Sequence, residues 1–212
     1  MKWVSGDATD PQTVNKIVKD ADAVVHAIGL LFDVDSGLTN LNKIVSGSGS
    51  LPGESSTYDN ITRKTMFNVI DAVEKKSILS SITKKKFPVA FVSAAEAGWP
   101  EVTLGATVEK QLAPEWLKKY LVAKRAVEKR LMDSDVIRPV ITRPSLIWDW
   151  TKYDVLPVIP VFNFASAIGV PFVDKTVRVE TLADSIVAGL EDESVTGVQR
   201  FFQMEELAKQ IQ

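Results

Sequence analysis

The chain has 212 residues, 45% of them hydrophobic, with 25 Lys and Arg against 27 Asp and Glu, no cysteine and one histidine. A chain of this length can bury about 70% of the surface its unfolded form exposes, so a single domain over 1–212 is expected. The balance of 25 − 27 = −2 gives no basic footprint for nucleic acid, the missing cysteines exclude disulfides and thiolate chemistry, and His26 alone cannot build a multi-histidine metal site.

The first residues carry neither an apolar signal core nor an Arg- and Ser-rich transit stretch. Lys2–Gly6 reads as a short strand. Asp10 before Pro11 is a good N-cap with proline at the first helical position, and Val14, Ile17 and Val18 give Pro11–Lys19 a helical stripe. Ala23–Ala27 is again strand-like. From Ser36 to Thr57 the chain reads as a flexible loop, in which the run Ser46-Gly47-Ser48-Gly49-Ser50 has no helix and no Lys-Ser/Thr after it, so a linker is expected there and not a phosphate cradle. Helical periodicity returns over Tyr58–Lys76. Lys84-Lys85-Lys86 is a solvated lead-in to the strand Pro88–Ser93. Pro114–Met132 is a third helix, Val140–Thr142 a strand core stopped by Arg143-Pro144, and Thr181–Leu190 a further helix. The 19 uncharged residues Val155–Val173 approach the length of a membrane span, but Pro157, Pro160, Pro171, Asn163 and Gly169 interrupt them. This alternation implies an α/β fold, a doubly wound and mostly parallel sheet with helices on both faces and its site at the carboxyl ends of the strands.

In the third helix Leu117, Tyr120, Lys124, Val127 and Leu131 share one face. A lysine on an inward stripe is costly unless something uses or pairs it. Tyr120 stands one turn from Lys124, and a nearby ammonium favours phenolate, so the pair is expected to have a lowered tyrosine pKa and to act as a general acid and base on a carbonyl or alcohol.

Tyr120 and Lys124, the strand Val89–Ser93 before them and Val140-Ile-Thr-Arg143-Pro144-Ser145 after them together resemble the short-chain dehydrogenase/reductase superfamily in its extended or atypical branch. Gly6-Asp7, the run Val24 to Gly29, and Val177 to Asp184 are similar to further pieces of the same pattern. Nearest in pattern are its members tied to coenzyme Q biosynthesis and the nucleotide-binding accessory subunit of respiratory complex I. The resemblance implies a Rossmann-like domain binding NAD or NADP. Asp7 would face the adenine, while Ala27, Ile28 and Gly29 would line the adenosine and ribose. Lys124 would hold the nicotinamide ribose and steer Tyr120, and Pro144 and Ser145 would lie beside the nicotinamide. Ser93, Tyr120 and Lys124 are the candidate catalytic residues, and His26 is expected to pack beneath the cofactor or simply to be hydrogen-bonded, rather than to take part in catalysis.

Three departures accompany these matches. The family's Gly-x-x-Gly-x-x-Gly turn does not occur in the 212 residues. The first strand–helix units are therefore lacking, and the strand at Lys2–Gly6 has no neighbour to pair with. Ala94 and Ala95 follow Ser93, where the family places its catalytic serine two residues further on, and Thr62 stands where a structural asparagine is common. Residues 145–180 correspond to the small substrate-side subdomain, and Phe162, Phe164 and Phe172 suit a pocket for a hydrophobic substrate such as a prenylated quinone, a surface against a partner or bilayer, or equally the plain core of that subdomain. Trp148 and Trp150 are expected to pack in the core. The expectation is a dehydrogenase-like protein of quinone or isoprenoid-lipid metabolism at a mitochondrial or plastid membrane. Its alternative is a non-catalytic subunit of a large membrane complex.

Overall fold

Asp10 starts the first helix as its sequence requires. Its two carboxylate oxygens accept the backbone N–H groups of Gln12 and Thr13, each at 3.1 Å, and Pro11 follows with no N–H to satisfy. The structure is a computed structural model and describes residues 3–36, 38, 40, 53–79, 85–149 and 159–211. Most of the Gly-Ser run's loop, Lys84, Trp150 and Val155–Val158 lie outside the described residues.

The principal elements in chain order are α1 (Pro11–Val18), β1 (Val24–His26), a wide π turn (Asp59–Lys64) running into α2 (Thr65–Leu79), and β2 (Phe87–Val92). A 3-10 turn (Ala95–Glu101) leads to α3 (Gly105–Leu112) and α4 (Glu115–Met132), then β3 (Ile137–Thr142) and β4 (Ile147–Trp148). The chain ends with α5 (Ile159–Ala167), β5 (Val177–Arg178), α6 (Val179–Glu191), β6 (Gly197–Gln199) and α7 (Phe201–Ala208).

Four strands form one parallel sheet in the order β1-β2-β3-β6, with His26 opposite Phe91 and Phe91 opposite Ile141. Alternation of side chains along β2 and β3 divides the core. Val89, Phe91, Ile137 and Ile141 face α1, α2 and α4 on one side, whereas Ala90 and Val140 face α6 and α7 on the other. Phe91, Leu131 and Ile141 are fully buried, each worth roughly 1.5–3 kcal/mol of transfer free energy. On the second side α6 comes close enough that a Cβ on Gly189 would sit 2.8 Å from a methyl of Val140. Arg138 of β3 holds that helix's end, donating to the carbonyls of Gly189, Leu190, Asp192 and Val195 at 2.6–3.0 Å. The short β4 and β5 pair in parallel as a separate two-stranded sheet.

The doubly wound parallel architecture is the one the sequence implies, and the helices and longer strands fall within a few residues of their expected bounds. Lys2–Gly6 is a correction. Its described residues form no strand, and Trp3 is 84% exposed. A strand there needs a neighbour for its backbone groups, and among the described residues β1 pairs only with β2. For helices α3, α5 and α7 the sequence gives no expectation. Gly98, Pro100 and Gly105 give the first a loop composition, and Leu104 at φ 64° turns the chain into it. No described helix is long and apolar enough to cross a membrane.

Candidate active site

The carboxyl ends of β1, β2 and β3 open into a cavity of about 890 Å³. Ala27, Ile28 and Gly29 leave β1 along one wall. Ser93 and Ala94 leave β2, and Pro144 and Ser145 follow β3. Helix α4 brings Tyr120 and Lys124 over the same space, and the remaining apolar wall includes Trp99, Val108, Trp116, Leu117, Phe162 and Phe172. A smaller cavity of about 180 Å³ beside Asp33, Ser36 and Lys119 holds none of the expected residues.

Lys124 is 3% exposed. Its ammonium donates to the Val92 carbonyl at 2.7 Å and lies 4.8 Å from the Phe91 ring centroid and 5.4 Å from that of Tyr120. Burial pushes its pKa down to about 8 against the opposing pull of Glu128. The expected lowering of the tyrosine pKa is reversed. Burial first, then the charge of Glu96 and last that of the Tyr58 phenol group, whose ring stands edge-on at 5.6 Å, hold the Tyr120 phenol well above its ordinary value. One helical turn does bring the ammonium near the ring, but desolvation outweighs that proximity.

Ser93 opens onto the cavity, yet its hydroxyl donates to Glu128 at 2.5 Å. Glu128 also accepts from Arg143 Nε and Nη2 at 3.0 and 2.6 Å, and Arg143 reaches Glu101 at 2.8 and 2.9 Å. Ser93 thus braces a buried ion pair at the strand ends. Ala95, where the sequence resemblance would place a serine, offers only a methyl group. Thr62 is fully buried inside the π turn, and its hydroxyl oxygen has no hydrogen-bond partner among the described residues.

Asp7 is not brought to the cavity. It is exposed, and one carboxylate oxygen accepts both the N–H and the hydroxyl of Thr9 at 2.8 Å, which lowers its pKa. His26 is buried at the end of β1 and hydrogen-bonded, with Nε2 at 2.8 Å from the Thr65 hydroxyl and its ring centroid 5.8 Å from that of Phe91. Trp148 is half-buried beneath the Arg178 guanidinium, 5.9 Å from its ring centroid, and does not line the cavity.

The residues present fit the ribose and nicotinamide end of a dinucleotide. Ser145 Oγ is buried and without a partner among the described residues, as an acceptor or donor awaiting a hydroxyl would be. Lys124 spends one of its three N–H donors on Val92. A Cβ on Gly29 would stand 3.9 Å from the Lys124 ammonium, in the space such a group needs. For a pyrophosphate the chain offers no glycine-rich turn. Sequence reasoning missed Glu96, Trp99, Trp116 and Asp174, all at the cavity wall. Only Glu96 had a readable signal, an acid directly after the Ala94-Ala95 strand end.

Strand order and the site at the strand ends define a Rossmann-like α/β fold. No protein-family model and no curated protein matches the chain. Solved structures do share the fold. A gluconate 5-dehydrogenase from Burkholderia cenocepacia J2315, in complex with NADP and tartrate, matches with a TM-score of 0.57 at 13% identity over 92% of this chain and 71% of that one. RMD from Pseudomonas aeruginosa, complexed with NADPH, gives 0.56 at 13% over 97% and 69%. The enzyme WbmG from Bordetella bronchiseptica, in complex with NAD and UDP, gives 0.56 at 17% over 93% and 56%, so the chain spans little more than half of that protein.

Proposed function

We propose that this chain is an atypical short-chain dehydrogenase/reductase-like protein that binds NAD or NADP and acts on a hydrophobic carbonyl compound of quinone or isoprenoid-lipid type. The observation that carries the reading is the cavity of about 890 Å³ in which the β1, β2 and β3 ends meet Tyr120 and Lys124. Neighbours of the same fold hold NADP, NADPH or NAD. The apolar walls, Trp99, Trp116, Phe162 and Phe172, suit a hydrophobic substrate better than a sugar.

When bound, a nicotinamide would supply a hydride to the substrate carbonyl. The chain's own part is proton delivery and placement. A phenol held above its ordinary pKa stays protonated at neutral pH, so Tyr120 gives its proton to the substrate oxygen as negative charge develops there, and the direction favoured is reduction. Lys124 and Ser145 hold ribose hydroxyls, while Ala27 to Gly29 wall the adenosine side. An organellar membrane surface is part of the proposal. The exposed Val161, Phe164 and Ile168 around α5 support contact with an apolar surface beside the pocket, and the organelle, mitochondrion or plastid, rests on the sequence resemblance.

A second reading, a non-catalytic subunit of a membrane complex, is favoured by the open outer edge of β1, where Val25 is half exposed, and by the Ser93 hydroxyl given over to Glu128. One experiment separates the two. The full chain is mixed with menadione and either NADH or NADPH, and loss of the reduced nicotinamide absorbance is followed. The enzyme reading expects turnover that falls about a hundredfold or more in Tyr120→Phe. Equal rates for the wild-type chain and the variant, or none with either cofactor, would leave the subunit reading.

A further inference from the structure

The structure leaves one acid at the cavity without a charge partner. Glu96 sits in the 3-10 turn immediately after β2, one residue past Ala95, and lines the cavity together with Trp99, Tyr120, Phe172 and Asp174. The surrounding guanidinium groups are committed elsewhere. Arg125 of α4 pairs with Glu109 at 2.6 Å and takes only the backbone carbonyl of Glu96, at 3.3 Å. Arg143 is divided between Glu128 and Glu101, and Arg200 pairs with Asp174 at 2.7 Å. Among the described residues the Glu96 carboxyl has no side-chain hydrogen bond and no ion pair. Such a group is costly to bury in ionised form unless a ligand or a proton meets it.

We propose that Glu96 is the oxygen-binding group of this pocket: in its protonated form it donates a hydrogen bond to the carbonyl oxygen of an otherwise apolar ligand, where Ala95 supplies no hydroxyl. This rests on the cavity being the ligand pocket argued above. The neighbouring titratable groups are Tyr120 and Lys124 of α4 across the cavity, Arg125 behind the turn, Asp174 after α5 with Arg200 beyond it, and Glu101 on the same turn, turned towards Arg143. Burial first and the like charge of Asp174 second push the carboxyl up from its usual range, while its own backbone N–H opposes them. The protonated donor therefore persists to higher pH than in a solvated glutamate, and it is lost as pH rises through its raised pKa. No covalent bond changes and no proton leaves Glu96.

Trp99 and Trp116 line the cavity, so ligand entry is read as quenching of tryptophan fluorescence in the full chain. Menadione is the carbonyl probe, safe from thiol addition because the chain has no cysteine, and 2-methylnaphthalene is its oxygen-free control. Glu96→Leu is expected to weaken menadione about tenfold and leave 2-methylnaphthalene unchanged. Glu96→Gln, which keeps an N–H donor without a titrating proton, should bind menadione nearly as the wild-type chain does at low pH and lose the wild-type decline in affinity as pH rises. Thermal melting of both variants checks that they fold. The proposal is overturned if Glu96→Leu binds menadione as tightly as the wild-type chain, or if the pH dependence survives in Glu96→Gln. Binding of neither probe to the wild-type chain overturns the pocket reading itself, and this one with it.

Discussion

Two polar clusters flank the carboxyl end of β2, and they are built on opposite principles. In one, Ser93, Glu128, Arg143 and Glu101 close on one another, so that the buried guanidinium and carboxylate each find charged partners. In the other, Glu96, Tyr120 and Lys124 border the cavity, and the one hydrogen bond their functional groups make to another described residue is that from Lys124 to the Val92 carbonyl. A satisfied buried network holds an element in place. Polar groups left over at a cavity wall are instead matched to something that enters. Both clusters draw on α4, with Glu128 one turn beyond Lys124, so one helix serves as brace and as cavity wall.

The largest effect is expected from opening the closed cluster. Arg143→Met leaves Glu128 buried with Ser93 as its one remaining hydrogen-bond partner among the described residues, and a buried pair broken on one side typically costs about 3–5 kcal/mol. Chemical denaturation measures this directly. Adding Glu128→Leu to the same chain should recover most of the loss, because the stranded charge goes with it. A single variant as stable as the wild-type chain would erase the distinction between the clusters.

Lys124→Met probes the open cluster with the same replacement residue and is expected to have the opposite sign. The ammonium is buried against two aromatic rings with one carbonyl acceptor, and removing it should raise stability by roughly 1–2 kcal/mol at neutral pH while abolishing any turnover. Its pH dependence is specific. The folded-state pKa of about 8 lies below the unfolded value near 10.5, so between those values the unfolded chain holds a proton that the folded chain has released. The wild-type chain should gain stability as pH rises from about 8 to 10.5, and the Met variant should lack that gain.

The division between the clusters also marks how far the sequence could be read. Periodicity and caps exposed the helices, because Asp10-Pro11 and the stripe from Leu117 to Leu131 are local facts. The site's outline was legible for the same reason, since the strand ends Ala27 to Gly29 and Arg143 to Ser145 fall at carboxyl termini in an α/β alternation, and Tyr120 and Lys124 stand one turn apart. Charge pairing was not legible. Arg143 meets Glu101 and Ser93 meets Glu128 across 42 and 35 residues, and nothing in either segment specifies the other. The sign of the Tyr120 shift failed for a related reason: spacing reports which charge is near and says nothing of how much water is gone. Asp7 was misplaced because its strand depends on a neighbour that no described strand provides.

His26 lies between the two cases and yields the smallest effect. The Thr65 hydroxyl donates to the Ile61 carbonyl at 2.6 Å and so receives the hydrogen of His26 Nε2–H, which leaves Nδ1 bare, buried and without a partner among the described residues. Protonating Nδ1 would place a second charge near Lys124 in a dry site. Burial and, secondarily, that ammonium accordingly push the His26 pKa down to about 4. The unfolded chain binds a proton near pH 6.5 and the folded chain does not, so the stability His26 contributes is full above 6.5 and lost as pH falls towards 4. His26→Leu should flatten that part of the stability curve, and the difference between the two chains cancels every other titrating group, Glu96 included. A difference curve with no slope between pH 4 and 6.5 would mean that water reaches Nδ1, and that the open cluster extends beneath β1 as well as above it.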